Sequence, residues 1–270
     1  MITDSLKGKK IIIYGTGHVG RKFYRALQAR GMGQQVTCFV RTRDVGQNER
    51  LDGVRVCRFD DIRMDEDDLI CLAVHESIRG EIEETVRQRT DHYLWIYPHL
   101  YELMFGEPEC RDVELPVEAL FGDFGEDLRL GVRLAAIEWQ DGLNGFGSES
   151  YVRAQMLHCD KETALRRLEQ FQRLIEDWKR SGYRKCHRLA LTRGYGVIDG
   201  NHRLAMAVYT GQKTIHADVY PTDLSVKQIH GQEPMLSGEL LREHGFTAEE
   251  VGRLKEIQER YLKRYGGQNE

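Results

Sequence analysis

The sequence predicts an α/β fold: an N-terminal parallel sheet, then a smaller α+β domain, then a helical tail. Three observations predict it. Residues 9–97 alternate apolar strand patterns with amphipathic helical ones. Gly15-Thr16-Gly17-His18-Val19-Gly20 stands between the first strand and the first helix. Asp199-Gly200-Asn201-His202-Arg203 stands at a second strand-to-helix junction.

The elements follow in order. Ile11-Ile12-Ile13-Tyr14 is an unbroken apolar run, the pattern of a strand buried on both faces. Val19, Phe23 and Leu27 share one face of the helix that follows, which stops near Gly31. Val36–Val40 is a second strand and Val54–Val56 a weaker third. Leu69–Val74 is a fourth, followed by a helix over residues 76–89. Tyr93–Tyr97 is a fifth, stopped by Pro98. From Phe105 to Asp127 prolines, glycines and acids break the pattern. That stretch reads as a linker, with a boundary near residue 112. The expected domains are 1–112, 113–222 and a tail over 223–270.

The second domain opens less clearly. Leu128–Trp139 fits a helix or a strand, Asn144–Ser148 a loop, and Tyr151–Leu157 a strand. Asp160 reads as a helix N-cap, with Glu162 in the first turn. That helix runs to about Arg180 and is expected to bury Leu165, Leu168, Phe171, Leu174, Ile175 and Trp178. His187–Thr192, the turn at Arg193-Gly194 and Tyr195–Ile198 form a hairpin that feeds the Asp199 junction. A helix to Tyr209 and a strand over Thr214–Tyr220 complete the unit. The tail ends in a charged helix, Ala248–Tyr265. Its Val251, Leu254, Ile257 and Leu262 form an apolar stripe that offers a homo-oligomer contact.

Composition narrows the function. Charged residues are 30% and interleave in sign, with a net charge of −4, which argues against a nucleic-acid coat. No apolar run approaches the ~18 residues of a membrane span, and no apolar core follows the first residues as in a signal peptide. A cytoplasmic protein with no membrane partner is expected. Six scattered cysteines give neither a C-x-x-C zinc pattern nor a disulfide framework.

Two motifs carry chemistry. In the first, a Gly between strand and helix lets backbone approach a diphosphate at the helix start. The acidic residue that reads a ribose hydroxyl about 20 positions on is absent. Arg41 at the end of the second strand suits a phosphate instead, as in an NADP site. The plainer reading is that these glycines only close-pack helix on strand. His75-Glu76 ends the fourth strand near the same crevice; an ordinary helix start is the plainer reading there. In the second motif, a helix start flanked by His202 and Arg203 is an anion site. Its plainer reading is an Asp-Gly turn with a surface His and Arg. His187 reads as an ordinary strand residue, and Trp139, Gln140 and Asp141 as either core or pocket lining.

Residues 9–98, through Lys10–Arg21, Cys38–Val40 and Asp68–Val74, resemble the Rossmann-like domains attached to capsule and sugar-nucleotide enzymes. The resemblance implies binding of NAD(P) or a sugar nucleotide by Gly15, Gly17, His18, Gly20 and Arg41. No Tyr-x-x-x-Lys pair supports a dehydrogenase. Residues 150–222, through His187–Leu191, Tyr195–Ala207, Gly211 and Ile215–Tyr220, resemble the ParB/sulfiredoxin-like superfamily. Its members bind nucleotides at a strand–Gly–Arg–helix element: CTP in ParB proteins, ATP in sulfiredoxin. The free-serine kinases of the superfamily carry an Asp-Gly-His-His-Arg type sequence, and this chain departs from it at Asn201. The resemblance implies that Gly200, Asn201, His202 and Arg203 cradle the phosphates of ATP, ADP or CTP. It gives Asp199 to Mg²⁺ or to the proton of a substrate hydroxyl. Asp160 or Glu162 matches the kinases' further carboxylate. The implied activity is phosphoryl transfer to a hydroxyl of a small amino acid, alcohol or sugar derivative, in cell-envelope or capsule polysaccharide synthesis. A non-catalytic nucleotide switch is the main rival. DNA association fits poorly with the acidic balance.

Overall fold

The computed structural model describes residues 2–42, 45–185, 188–225, 228–229 and 235–265. They fall into two compact units, Met1–Glu107 and Pro108–Glu270. The expected α/β class is what forms.

The first unit runs α1 (Ile2–Leu6), β1 (Lys10–Tyr14), α2 (His18–Ala29), β2 (Val36–Arg41), β3 (Arg50–Leu51), β4 (Val54–Arg58), β5 (Asp68–Leu72), α3 (Glu76–Arg87), β6 (Tyr93–Trp95) and α4 (Leu100–Phe105). Its sheet has the order β3-β4-β2-β1-β5-β6. All pairs are parallel except β3 with β4, a short antiparallel edge the sequence did not announce. The apolar run of β1 divides as a strand must, with alternate side chains on opposite faces. Ile11 and Ile13 join Phe23 and Leu27 of α2 and Leu100 and Leu103 of α4. Ile12 and Tyr14 join Phe59, Ile82 and Val86 on the other face. Chain order reverses at β1, which has β2 on one side and β5 on the other. The Gly15–Gly20 loop leaves β1 at that point.

The second unit runs β7 (Cys110–Pro116), α5 (Arg129–Gln140), α6 (Gly147–Gln155), α7 (Lys161–Ser181), β8 (Leu189–Leu191), β9 (Val197–Asp199), α8 (Asn201–Thr210), β10 (Thr214–Val219), α9 (Gly238–Glu243) and α10 (Ala248–Leu262). Its sheet has the order β7-β10-β8-β9, with β10 and β8 parallel and the outer pairs antiparallel.

Three expectations change here. The stretch read as a linker contains β7, so the units divide at 107/108 and not near 112. β7 is an edge strand, where a terminal Pro116 costs no ladder bond. Residues 151–157 lie mostly in α6 and are helical, not extended. Helix α6 crosses α5 so closely that a Cβ at Gly147 would lie 1.9 Å from the Ala135 carbonyl oxygen. Asn144 holds the crossing: its Oδ1 accepts from the Gly147 and Phe146 amides, and its Nδ2 donates to Ala135 O.

The third change concerns the tail. Val251, Leu254 and Ile257 are 2%, 0% and 6% exposed, buried in the core they share with α5, α8 and the sheet. The apolar stripe expected to meet a second copy is therefore spent inside the chain. Gln258, 3% exposed, ties α10 to α5. Its Oε1 accepts from Gly131 N at 2.7 Å, and its Nε2 donates to Phe124 O at 2.6 Å and Asp127 O at 3.2 Å. Buried backbone groups left without these partners cost about 1–3 kcal/mol each. Gln258→Leu should therefore lower the unfolding free energy of the second unit by about 3 kcal/mol in urea titration. An unchanged midpoint would refute the role given to this side chain.

Candidate functional site

The sequence builds the β9–α8 junction from three short-range rules. Val197 and Ile198 are buried strand residues. Gly200 turns the chain with φ +104°, and a Cβ there would meet Leu189 Cδ2 at 2.3 Å. Only glycine satisfies both the sign of φ and the space. Helix α8 then starts at Asn201 with no side-chain cap. Three other helices of the unit are capped by their N-cap side chains: Asp160 accepts from Thr163 N, Ser237 from Leu240 N, and Thr247 from Glu250 N; α5 and α6, like α8, are not. First-turn N–H groups have no partner within their own helix, and the N-cap glycine of α8 offers them no side-chain acceptor.

The polar residues of the motif are placed as follows. Arg203 Nη1 donates to the Arg188 carbonyl, and its Nη2 lies 3.3 Å from Asp199 Oδ2. His202 Nε2 is 2.7 Å from the Tyr151 hydroxyl, and its ring lies 4.4 Å from that of Phe171. Asn201 Oδ1 is buried and has no hydrogen-bond partner. A buried acceptor without a partner is uncommon enough to need a reason. A phosphate oxygen, itself an acceptor, does not supply one, but a ligand hydroxyl or amine would.

The structure does not bring the two further carboxylates to this point. Asp160 caps α7, accepting from Thr163 N at 2.8 Å and Thr163 Oγ1 at 3.2 Å. Those bonds hold its carboxyl below the usual range. Phe171, where α7 touches His202, is about 16 Å further along the helix axis at ~1.5 Å per residue. Glu162, in the same first turn, is about 14 Å from that level by the same rise. The N-cap reading of Asp160 is what the geometry supplies.

Sequence reasoning missed several partners. Tyr151 and Phe171 come from helices distant in sequence and fix the His202 ring. Arg188 Nε lies 3.3 Å from Asp218 Oδ2, and Asp218 Oδ1 accepts from Asp112 N at 2.8 Å. Asp112 Oδ1 is in turn 2.8 Å from His216 Nδ1. Asp112 has φ +53°, a left-handed residue at the bulged end of β7. The only sequence signal was the alternation Asp112, Glu114 against Val113, Leu115. His187 lies outside the described residues. Trp139 is half-buried, Gln140 Nε2 reaches Gln172 O at 3.4 Å, and Asp141 binds Lys179 and the Tyr209 hydroxyl. The last two serve helix packing.

In the first unit the three glycines separate. A Cβ at Gly15 would lie 2.7 Å from Ala73 O, and one at Gly20 would lie 2.0 Å from Gly15 O. Both are fixed by packing. Gly17 has nothing within 4 Å, is exposed, and precedes α2 with no side-chain cap. Packing therefore explains two glycines and leaves the third, the one that borders a ligand in a phosphate loop. His18 is exposed at the first position of α2. Arg41 Nη2 meets Glu49 Oε2 at 2.6 Å. Glu49 thus brings to the end of β2 a carboxylate that the sequence spacing did not show. His75 packs edge-on against Tyr97 at 4.9 Å, and Tyr97 stacks on Trp95. Glu76 starts α3.

Among the described residues no group of three or more His, Cys, Asp or Glu side chains is arranged to hold a metal ion. No helix is long and apolar enough to cross a membrane among them. No family model, curated protein or solved structure matches this chain.

Burial pushes the Tyr151 hydroxyl up to about 12. The unfolded chain ionises near its ordinary value of about 10. Between those values the unfolded state has released protons that the folded state keeps, so stability falls as pH rises through this window. Burial also moves Tyr261 and Tyr265 up to about 12. Tyr151→Phe should therefore reduce, but not abolish, the loss of stability measured from about pH 10 to about pH 12. An unchanged slope would contradict the burial of this hydroxyl.

Proposed function

We propose that the second unit binds a nucleoside phosphate at the start of α8 and transfers a phosphoryl group to a small hydroxyl compound. The observation that carries this reading is the α8 start: an uncapped helix N-terminus at an obligatory left-handed glycine, with Arg203 held beside it. Such a terminus presents N–H groups and partial positive charge to a phosphate. The similarity of residues 150–222 to the ParB/sulfiredoxin-like superfamily supports ATP, ADP or CTP as the ligand, and a Rossmann-like reading of the first unit supports NAD(P) or a sugar nucleotide near Gly17. A place in cell-envelope or capsule polysaccharide synthesis rests on that second likeness.

Asp199 fits Mg²⁺ as the single carboxylate that such an ion takes when phosphate oxygens and water fill its other positions. Bound there, Mg²⁺ would neutralise charge on the phosphates. The chain's own groups do the rest. The α8 N–H groups and Arg203 hold the phosphate chain, and His202, fixed by Tyr151, faces its edge. The bond from the transferred phosphorus to the leaving phosphate oxygen breaks as the acceptor oxygen bonds to phosphorus. The acceptor proton passes to Asp199 when that carboxylate is not holding the ion.

A second reading is a nucleotide switch without chemistry. The placing of Asp160 and Glu162 about 14–16 Å from the level of His202 favours it.

Incubating the full chain with ATP, ADP or CTP, Mg²⁺ and a panel of hydroxyl compounds should give a phosphorylated product by phosphorus NMR. Binding without product selects the switch. Arg203→Ala should weaken nucleotide binding about tenfold, roughly 1.4 kcal/mol. If none of the three nucleotides binds the wild-type chain, the motif is only a turn.

A further inference from the structure

The face of the four-stranded sheet that carries Asp199 holds a second cation. Ala190 of β8 pairs with Asp199 of β9 and with Asp218 of β10, so the two carboxylates flank one small side chain on one face. Arg188, two positions before Ala190, belongs to the same face by strand alternation. Its Nε meets Asp218 Oδ2 at 3.3 Å, while the side chain stays 37% exposed. Its carbonyl oxygen accepts from Arg203 Nη1, so the two arginines are joined at the mouth of α8. Asp218 is itself held: its second oxygen takes the N–H of Asp112, whose carboxylate meets His216, a side chain 8% exposed. A guanidinium braced on one edge by a fixed carboxylate keeps further N–H donors for a ligand. The orphaned Oδ1 of Asn201, an acceptor at the first residue of α8, independently points to a ligand hydroxyl or amine at this junction, such as a nucleoside carries beside its phosphates.

We infer that Arg188 is a phosphate-binding residue of this site, acting with Arg203 on the same polyphosphate chain, and that Asp218 is the residue that positions it. The inference rests on nucleotide binding at α8. Paired guanidiniums suit a di- or triphosphate, whose charge exceeds what one arginine and a helix start neutralise. A single inorganic phosphate should then bind far more weakly than the nucleotide.

The test is calorimetric titration of the full chain with Mg-ATP, Mg-CTP and inorganic phosphate. Wild type is compared with Arg188→Ala, Arg188→Lys, Asp218→Asn and Arg203→Ala, with Arg180→Ala, on the far end of α7, as a control for lost surface charge. Arg188→Ala should raise the nucleotide Kd about tenfold and flatten its dependence on ionic strength, with little change in Tm. Arg188→Lys keeps the charge but not the fork and should recover only part of the affinity. Asp218→Asn leaves the guanidinium present but loosely held and should give a smaller loss, also partial. The inference is overturned if wild type binds nucleotide, Arg203→Ala binds it more weakly, and both Arg188 variants bind as wild type does. Absence of nucleotide binding by wild type overturns this inference together with the proposed function. If Arg188→Ala fails to fold, the Arg188→Lys and Asp218→Asn titrations decide.

Discussion

The contact between Gly200 and Leu189 governs how the second unit is put together. At this point β9 gives way to α8 with no space for a side chain. The turn therefore sets the direction of α8 relative to β8, and with it the reach of Arg203 to the Arg188 carbonyl and to Asp199. A wider junction would put the guanidinium out of range of both. The same turn leaves the helix start uncapped, because a glycine offers no side-chain oxygen to the first N–H groups. Close packing and the absence of an N-cap side chain come from one residue.

The first unit uses a related device with a different division of labour. Gly15 and Gly20 press helix against strand, as Gly200 does, while Gly17 is left outside that packing. In neither unit does a cap residue close the helix that follows the glycine-bearing loop. The arginine beside each loop differs. Arg41 pairs with Glu49, whereas Arg188 pairs with Asp218, Arg203 pairs with Asp199, and Arg203 also donates to the Arg188 carbonyl. The second unit is the better equipped for a highly charged ligand.

What could be read from the sequence follows the range of the interactions. The parallel sheet was legible because β1, β2 and β5 are buried on both faces and so are written as continuous apolar runs. The strand–Gly–helix junctions were legible because sterics act between neighbours. β7 was hidden by acids on its outward positions and by a proline that an edge strand tolerates. Helix α6 was hidden because its start is defined by a crossing with Ala135, which no local pattern records. The stripe on α10 was legible as apolar, but its partner is α5, more than a hundred residues earlier. The site divides the same way: Asp199 to Arg203 could be named in advance. Tyr151, Arg188 and Asp218 could not, since each matters only through contacts made across the fold.

The register of the second sheet has a bearing on how the chain acquires its shape. Leu115 of β7 pairs with Ile215 of β10, and the Tyr265 hydroxyl bonds to Ala207 O and Gln212 O at the far end of α8. The earliest and the latest segments of the unit are thus mutual supports. Contacts so far apart in sequence make folding slow. During synthesis, β7 waits as an unpaired edge until β10 has left the ribosome, and α10 closes the core only after that. The mouth of α8 is thus assembled among the later events in the folding of the second unit.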